Sequence, residues 1–168
     1  MNILICISCV PDTTSTISFV NDDKKFNSDG VQYIIGPYED YALARAVELK
    51  EKDNSIHISV LNVGLERNDP LLRKALAIGA DDAYRIDVFP NDSLFVAHQI
   101  SSFVNENPFD IILMGKESID FNSGQVHHIT GSLLGISSLS PVTYLDLNSN
   151  KNKILIKKEI DNGIETLE

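Results

Sequence analysis

Asn2-Ile3-Leu4-Ile5-Cys6-Ile7-Ser8-Cys9-Val10 is a short apolar run without strict alternation, ended by Pro11 and Asp12. It reads as one strand buried on both faces, the kind found in parallel sheets. Working outward, Pro37 suits the first position of a helix. Tyr41, Ala42, Leu43, Ala46, Val47 and Leu49 then give one apolar face, with Glu39 and Asp40 early and Lys50 and Lys52 late, matching the helix dipole. A helix over 37–52 is predicted. The alternation continues with strand 57–63, helix 70–78 closed by Gly79, strand 83–88, helix 93–105 after Asp92 as cap, and strand 110–114. Strand and helix in turn imply a doubly wound α/β sheet.

Two short apolar pieces, Ile17 to Val20 and Val31 to Ile35, flank polar turns and read as a peripheral β-hairpin. A helix is expected over 124–134. Strands over 140–145 and 153–160 follow, with Asn148 to Asn152 as the turn between them. Gly163 to Glu168 looks like an alternating strand under way, so the chain reads as one domain, 1–168, cut short at its end.

The chain has 168 residues, 43% of them hydrophobic, enough for a core around a central sheet. Its 14 lysines and arginines stand against 24 aspartates and glutamates, a net charge of -10, which argues against nucleic acid as a partner. No apolar stretch approaches the roughly 18 to 20 residues that cross a bilayer. The opening run lacks the basic start and cleavage site of a signal peptide, so a cytoplasmic location without membrane insertion is expected. Cys6 and Cys9, placed within the first strand and pointing to opposite faces, lack the loop and helix N-terminus that a Cys-x-x-Cys redox pair needs. Neither cysteine is assigned chemistry, and no metal ligand set is assigned.

In open α/β sheets ligands sit beyond the carboxyl ends of the strands. Four segments fall there: Cys6 to Asp12, Gly36 to Glu39, Asn62 to Gly64, and Gly115 to Gly131. The last is a strand-to-helix turn of small and polar residues, Gly115-Lys116-Glu117-Ser118-Ile119-Asp120-Phe121-Asn122-Ser123-Gly124-Gln125. Its amides suit phosphate oxygens, but it has neither Walker nor Gly-x-Gly-x-x-Gly spacing. Read alone, it is equally an ordinary capped connection.

Several separated blocks, in order, resemble the β subunit of the electron transfer flavoproteins. They are Met1 to Ile7 with Val10-Pro11-Asp12-Thr13, Asp29-Gly30-Val31 leading to Pro37-Tyr38-Glu39 and Tyr41-Ala42-Leu43, Lys74 to Asp81, Gly115-Lys116 through Ile119-Asp120 with Ser123-Gly124-Gln125-Val126, and Lys158 to Thr166. The resemblance spans essentially the whole chain. It implies a Rossmann-like αβα sandwich with a mostly parallel sheet, of the adenine nucleotide alpha hydrolase-like kind. It also implies an electron carrier with no substrate chemistry of its own. An AMP of structural role would sit in this subunit and FAD would be shared with an α subunit in a heterodimer. Electrons would pass from acyl-CoA or related dehydrogenases of fatty acid β-oxidation to a quinone oxidoreductase. In a bifurcating relative the pocket would take FAD.

Carried over by motif position, the AMP pocket would be lined by Cys6, by Gly36, Pro37, Tyr38 and Glu39, by Val63, and by residues from Asp120 to Gly131. In that last segment the resemblance points to Asp120, Asn122, Ser123, Gly124, Gln125, Val126, His127, Thr130 and Gly131. Amides of Asn122 to Val126 would hold the phosphate, with Gln125 donating or accepting beside it and Asp120 ordering the loop. Thr13 and Glu159 would lie near the flavin. No catalytic residue is implied.

The chain departs from the family pattern at three places. Gly36 replaces an asparagine before the proline, Ser8 stands where a lysine usually leaves the first strand, and His127 replaces a glycine. The histidine is either a cation assisting an anion or, with His128, a helix-surface residue. The resemblance also leads to the expectation that the family's C-terminal partner-docking segment is absent from the chain. Competing readings are an ATP-using hydrolase or adenylylating enzyme, for which no basic residues and Mg²⁺ carboxylate can be assembled, and a universal-stress-type nucleotide module without its glycine-rich loop.

Overall fold

The computed structural model describes residues 1–147 and 153–168. The turn expected at Asn148 to Asn152 lies outside the described residues. The element order is β1 (Asn2–Cys6), β2 (Cys9–Pro11), β3 (Phe19–Val20), β4 (Lys25–Phe26), β5 (Tyr33–Ile35), α1 (Pro37–Lys52), β6 (His57–Val63), α2 (Asp69–Ile78), β7 (Asp82–Ile86), α3 (Ser93–Glu106), β8 (Ile111–Met114), α4 (Val126–Leu134), β9 (Val142–Leu147), β10 (Ile154–Ile160) and β11 (Gly163–Leu167).

The central sheet has four parallel strands in the order β7-β6-β1-β8. It is flanked by helices on both faces, the Rossmann-like arrangement expected of the sequence. Side-chain alternation divides the core. Ile3, Ile5, Ile58 and Val60 pack with Leu43, Ala46 and Leu49 of α1 and Leu72 and Ala75 of α2. Leu4, Cys6, Leu61 and Val63 pack with Ile100, Val96 and Phe103 of α3 and Val126 of α4. A strand that feeds two apolar layers must be apolar at every position, which is why β1 shows no period of two. Asp92 caps α3 by accepting from the Phe95 amide at 2.8 Å.

The opening run is not one strand. Cys6 is the last residue paired with both β6 and β8, opposite Leu61 and Met114. The chain then breaks at Ile7-Ser8, and Cys9–Pro11 pairs antiparallel with Tyr33–Ile35. Cys6 and Cys9 therefore belong to different sheets, and the faces of a single strand do not relate them. The peripheral excursion also pairs differently from expectation: Phe19–Val20 meets Lys25–Phe26 across the Asn21 to Lys24 turn, while the Val31 to Ile35 piece joins β2 instead. Periodicity in such short pieces does not select a partner.

In α1 the buried stripe is Glu39, Leu43, Ala46 and Leu49, with i, i+4, i+7 spacing. Tyr41 lies off that stripe and is 73% exposed, contrary to the face expected from the sequence.

The late strands form a separate antiparallel sheet, β11-β10-β9. Arg45 of α1 fastens it to the parallel layer. Its Nε donates to the Leu145 carbonyl at 2.7 Å and its Nη2 meets Asp146 at 3.1 Å, while the buried Leu145 side chain joins the α1 core. Arg45→Ala removes both contacts. The expected outcome is a loss of about 1–2 kcal/mol in chemical denaturation, with amide exchange in β9 accelerated more than in β1.

Candidate functional site

β1 pairs with β6 on one side and β8 on the other, so the strand order reverses between β1 and β8. A crevice opens at the carboxyl ends on either side of such a point. The structure shows a cleft of about 380 Å³ there, a volume within the range of small-molecule sites. Cys6, Leu61, Val63, Val96 and Ile100 give it an apolar wall from β1, β6 and α3. Ser8, Glu39 and Gly115 lie at the β1–β8 crevice, and the loop from Lys116 to the α4 N-terminus closes the far side.

Glu39 is the group around which this end of the cleft is built. It is 5% exposed, and one carboxylate oxygen, Oε1, accepts a hydrogen bond from the Ser8 hydroxyl. Oε2 is buried and has no hydrogen-bond partner among the described residues. Two glycines make room for the group. A Cβ at Gly115 would lie 2.7 Å from the Glu39 carboxyl carbon, and one at Gly36 would collide with Oε2 and lie 2.8 Å from Ser8 Oγ. Two of the departures noted in the sequence, Ser8 and Gly36, thus meet at one carboxylate. Burial pushes the Glu39 pKa up; hydrogen bonds from the Ser8 hydroxyl and from the Glu39 and Ser8 backbones offset this only in part, and repulsion from Asp120 adds a little to the rise.

Asn122 N donates to the Ser118 carbonyl at 2.8 Å and holds φ at 50°, so its amide is already used inside the loop. The amides of Ser123, Gly124 and Gln125 have no acceptor among the described residues, and they precede the first turn of α4, where the helix dipole favours an anion. Gln125 is the N-cap residue and is exposed on the cleft. Among the described residues Lys116 is the one lysine or arginine that lines the cleft, and it is engaged: Nζ lies 3.3 Å from Glu117 Oε1 and 4.8 Å from the Tyr38 ring centroid. Glu39, Asp92, Glu117 and Asp120 all line the cleft. Among the described residues that line the cleft, these free amides are the donors best suited to an anionic group.

The structure brings Cys6, Glu39, Val63, Asp120, Ser123, Gly124, Gln125, Val126 and His127 to the cleft. Gly36, Pro37, Tyr38, Asn122, Thr130 and Gly131 do not line it. Gly36 contributes space, and Tyr38, Thr130 and Gly131 face a second cleft of about 560 Å³ between α1, α4 and the antiparallel sheet. Glu159 lines that second cleft and is exposed. Thr13 is exposed and lines neither; it sits in a turn where Asp12 accepts from Thr14 N at 2.8 Å and from the Thr14 hydroxyl at 2.7 Å, bonds that lower the Asp12 pKa.

His127 faces both clefts, with Nε2 buried and without a hydrogen-bond partner among the described residues. Burial first, and His128 second, push its pKa down, so the ring is neutral at neutral pH and offers hydrogen bonding in place of charge. The sequence reading missed Pro90, Asn91, Asp92 and Ser93, which rim the cleft ahead of α3. The signal was present: this is a strand-to-helix turn at the carboxyl end of β7, subject to the same rule that selected the other segments.

Burial pushes the Cys6 thiol far up and, with Glu39 adding to it, raises the Cys9 thiol to about 12. Both stay protonated at neutral pH. Alkylation of the native chain at pH 8 should leave both cysteines unmodified over times in which the denatured chain reacts fully, as read by mass spectrometry. Glu39 makes a second prediction. A carboxyl whose pKa is raised on folding binds more protons in the folded state, so it costs stability above its raised pKa and the cost vanishes as pH falls below the ordinary carboxylate range. Glu39→Gln should therefore raise Tm at pH 7.5, and the gain should fade as pH falls toward 4.

Residues 23–168 match the family described as "Electron transfer flavoprotein domain". Over 99% of its length the chain is 30% identical to the electron transfer flavoprotein subunit beta of Bacillus subtilis and 28% identical to that of Homo sapiens. It is 28% identical, over its whole length, to Protein FixA of Azotobacter vinelandii. It spans 65%, 67% and 62% of these relatives, respectively. With the family's pattern covering most of the chain and the cleft lying at the reversal point of its sheet, the chain belongs to the electron transfer flavoprotein family and is similar to its beta subunits.

Proposed function

We propose that this chain is the nucleotide-holding part of an electron carrier, binding AMP in the β1–β8 cleft and pairing with an FAD-binding α subunit. The observation that carries this reading is the shape of that cleft: an apolar wall at one end and unengaged amides ahead of α4 at the other. A planar base fits against Cys6, Leu61, Val63 and Ile100, and a single phosphate fits at Ser123 to Gln125. The acidic lining disfavours further phosphates, which would face Glu39, Asp92, Glu117 and Asp120 with no free cation from Lys116. Residues 1–168 then act as one nucleotide-binding unit whose role in its own right is structural, with no general acid or base.

FAD, when bound in the heterodimer, supplies the redox chemistry. The chain's own contribution is to present a surface beside it, for which Thr13 in the Asp12 turn and Glu159 at the mouth of the second cleft are the proposed contacts. The complex relays electrons from acyl-CoA or related dehydrogenases to a quinone oxidoreductase in the cytoplasm. Among the described residues no helix is long and apolar enough to cross a membrane.

The chain, co-expressed with an α subunit and purified as a 1:1 complex, should release AMP on denaturation, identified by chromatography. Release of FAD at two equivalents per complex identifies a bifurcating carrier instead. Absence of any nucleotide overturns the binding reading.

A further inference from the structure

Three Asn-Ser pairs stand among the described residues, at 27–28, 54–55 and 122–123, and the structure treats them differently. Asparagine is thermolabile because the backbone nitrogen of the next residue can attack its side-chain amide carbon. The nitrogen must be free to give up its proton, and the side chain free to turn toward it. At the first pair Asn27 Oδ1 accepts from the Asp29 amide at 3.1 Å, which holds the side chain. At the second the Ser55 amide donates to Asp53 Oδ1 at 3.0 Å, which holds the nucleophile. At the third neither is held. Asn122 lies exposed in the loop between β8 and α4, outside any helix or strand, at a left-handed φ of 50° that asparagine tolerates. Its side chain has no hydrogen-bond partner among the described residues, and the Ser123 amide has no acceptor there. The Ser123 hydroxyl meets Ser93 Oγ at 3.2 Å, a contact that leaves the backbone nitrogen unused.

We propose that Asn122 is a site of spontaneous deamidation, reacting in the folded chain ahead of Asn27 and Asn54. The Ser123 nitrogen gives its proton to hydroxide and bonds to Asn122 Cγ. The Cγ–Nδ2 bond breaks and ammonia leaves, which closes a five-membered succinimide. Water then opens the ring at either carbonyl, giving an aspartyl residue or an isoaspartyl one whose main chain runs through the side-chain carbon. Overall one water is consumed, one ammonium ion is released and one negative charge is gained by the chain; nothing is oxidised or reduced. Asn162 precedes a glycine, which hinders the attack less, and Gly163 is paired opposite Ile160 in the β10–β11 ladder, so the three serine pairs are the matched comparison.

The new charge arrives directly before the unengaged amides of Ser123, Gly124 and Gln125. A carboxylate in a turn accepts readily from the amide two residues on, as Asp12 does from Thr14 and Asp53 from Ser55. At position 122 it would take the Gly124 amide and repel an anion from the others. Resting on the nucleotide reading of the cleft, deamidation therefore closes the phosphate end of the site. A bound phosphate that engages the Ser123 amide in turn withholds the nucleophile and preserves Asn122. The loop ages when the cleft is empty and is protected when it is filled.

The full chain is incubated at pH 8, sampled over time and digested in mild acid, and mass spectrometry with fragmentation follows at each site the gain of about 1 Da that a carboxyl in place of an amide brings. A held nucleophile or side chain must first give up a hydrogen bond worth about 1 kcal/mol, so Asn122 is expected to react about fivefold faster than Asn27 and Asn54 in the native chain, and at a similar rate to them in the denatured one. A native rate at Asn122 no higher than at the other two overturns the proposal. Equilibrium dialysis with radiolabelled AMP tests the consequence for the site. N122D is expected to hold AMP about tenfold more weakly than the wild-type chain, and saturating AMP to slow the loss of Asn122 while leaving that of Asn27 unchanged. Equal retention by N122D, or an unchanged rate at Asn122 with AMP bound, overturns the link to the site. If the wild-type chain does not retain AMP, the nucleotide reading falls, and the rates at the three asparagines still decide the deamidation. Should N122D fail to fold, protection of the wild-type chain by AMP decides the link.

Discussion

β1 is hydrogen-bonded in parallel to β6 on one side and to β8 on the other, and both of its faces are buried. Every other part of the parallel layer takes its position from that strand. Ile3 and Ile5 set the level of α1 and α2, Leu4 and Cys6 that of α3 and α4. Because the chain adds β6 and β7 on one side and then crosses to add β8 on the other, the crossovers lead away from each other at the β1–β8 edge. The cleft follows from topology, before any functional side chain is considered.

What fills that cleft's lining is a conflict of charge. Among the described residues four carboxylates line it, and the one lysine that does so is held by Glu117 and the Tyr38 ring. Attraction for an anion comes from backbone dipoles instead, which are confined to the residues ahead of α4 and fall off within a turn. Such a site places an anionic group sharply and rejects it elsewhere. Glu39 belongs to this division: α1 delivers it on the same stripe that buries Leu43, Ala46 and Leu49, so it is carried into the interior by the packing of its own helix.

The antiparallel sheet is held differently. Its link to α1 runs through Leu145 in the core and through Arg45, whose guanidinium reaches the Leu145 carbonyl and the Asp146 carboxylate. Between this sheet, α1 and α4 lies the second cleft, where Tyr38, Thr130 and Gly131 stand apart from the first. Residues adjacent in the sequence motif are thereby divided between two cavities, with His127 facing both.

Local pattern carried most of the fold. The extents of α1 and β6, the cap at Asp92 and the strand-helix alternation follow from helix signals and apolar runs that depend only on near neighbours in sequence. The same physics failed at Ile7-Ser8, where the run stays apolar while the hydrogen-bond partners change, and in the 17–35 excursion, where two- and three-residue strands carry too little pattern to choose a mate. Of the site, sequence located the loop between β8 and α4 and the position of Glu39. That Ser8, Gly36 and Gly115 converge on its carboxyl, that Asn122's amide is spent on Ser118, and that Thr130 faces away were decided by tertiary structure. Each depends on contacts between groups far apart in the chain or on the turn of a loop, and no local propensity encodes either.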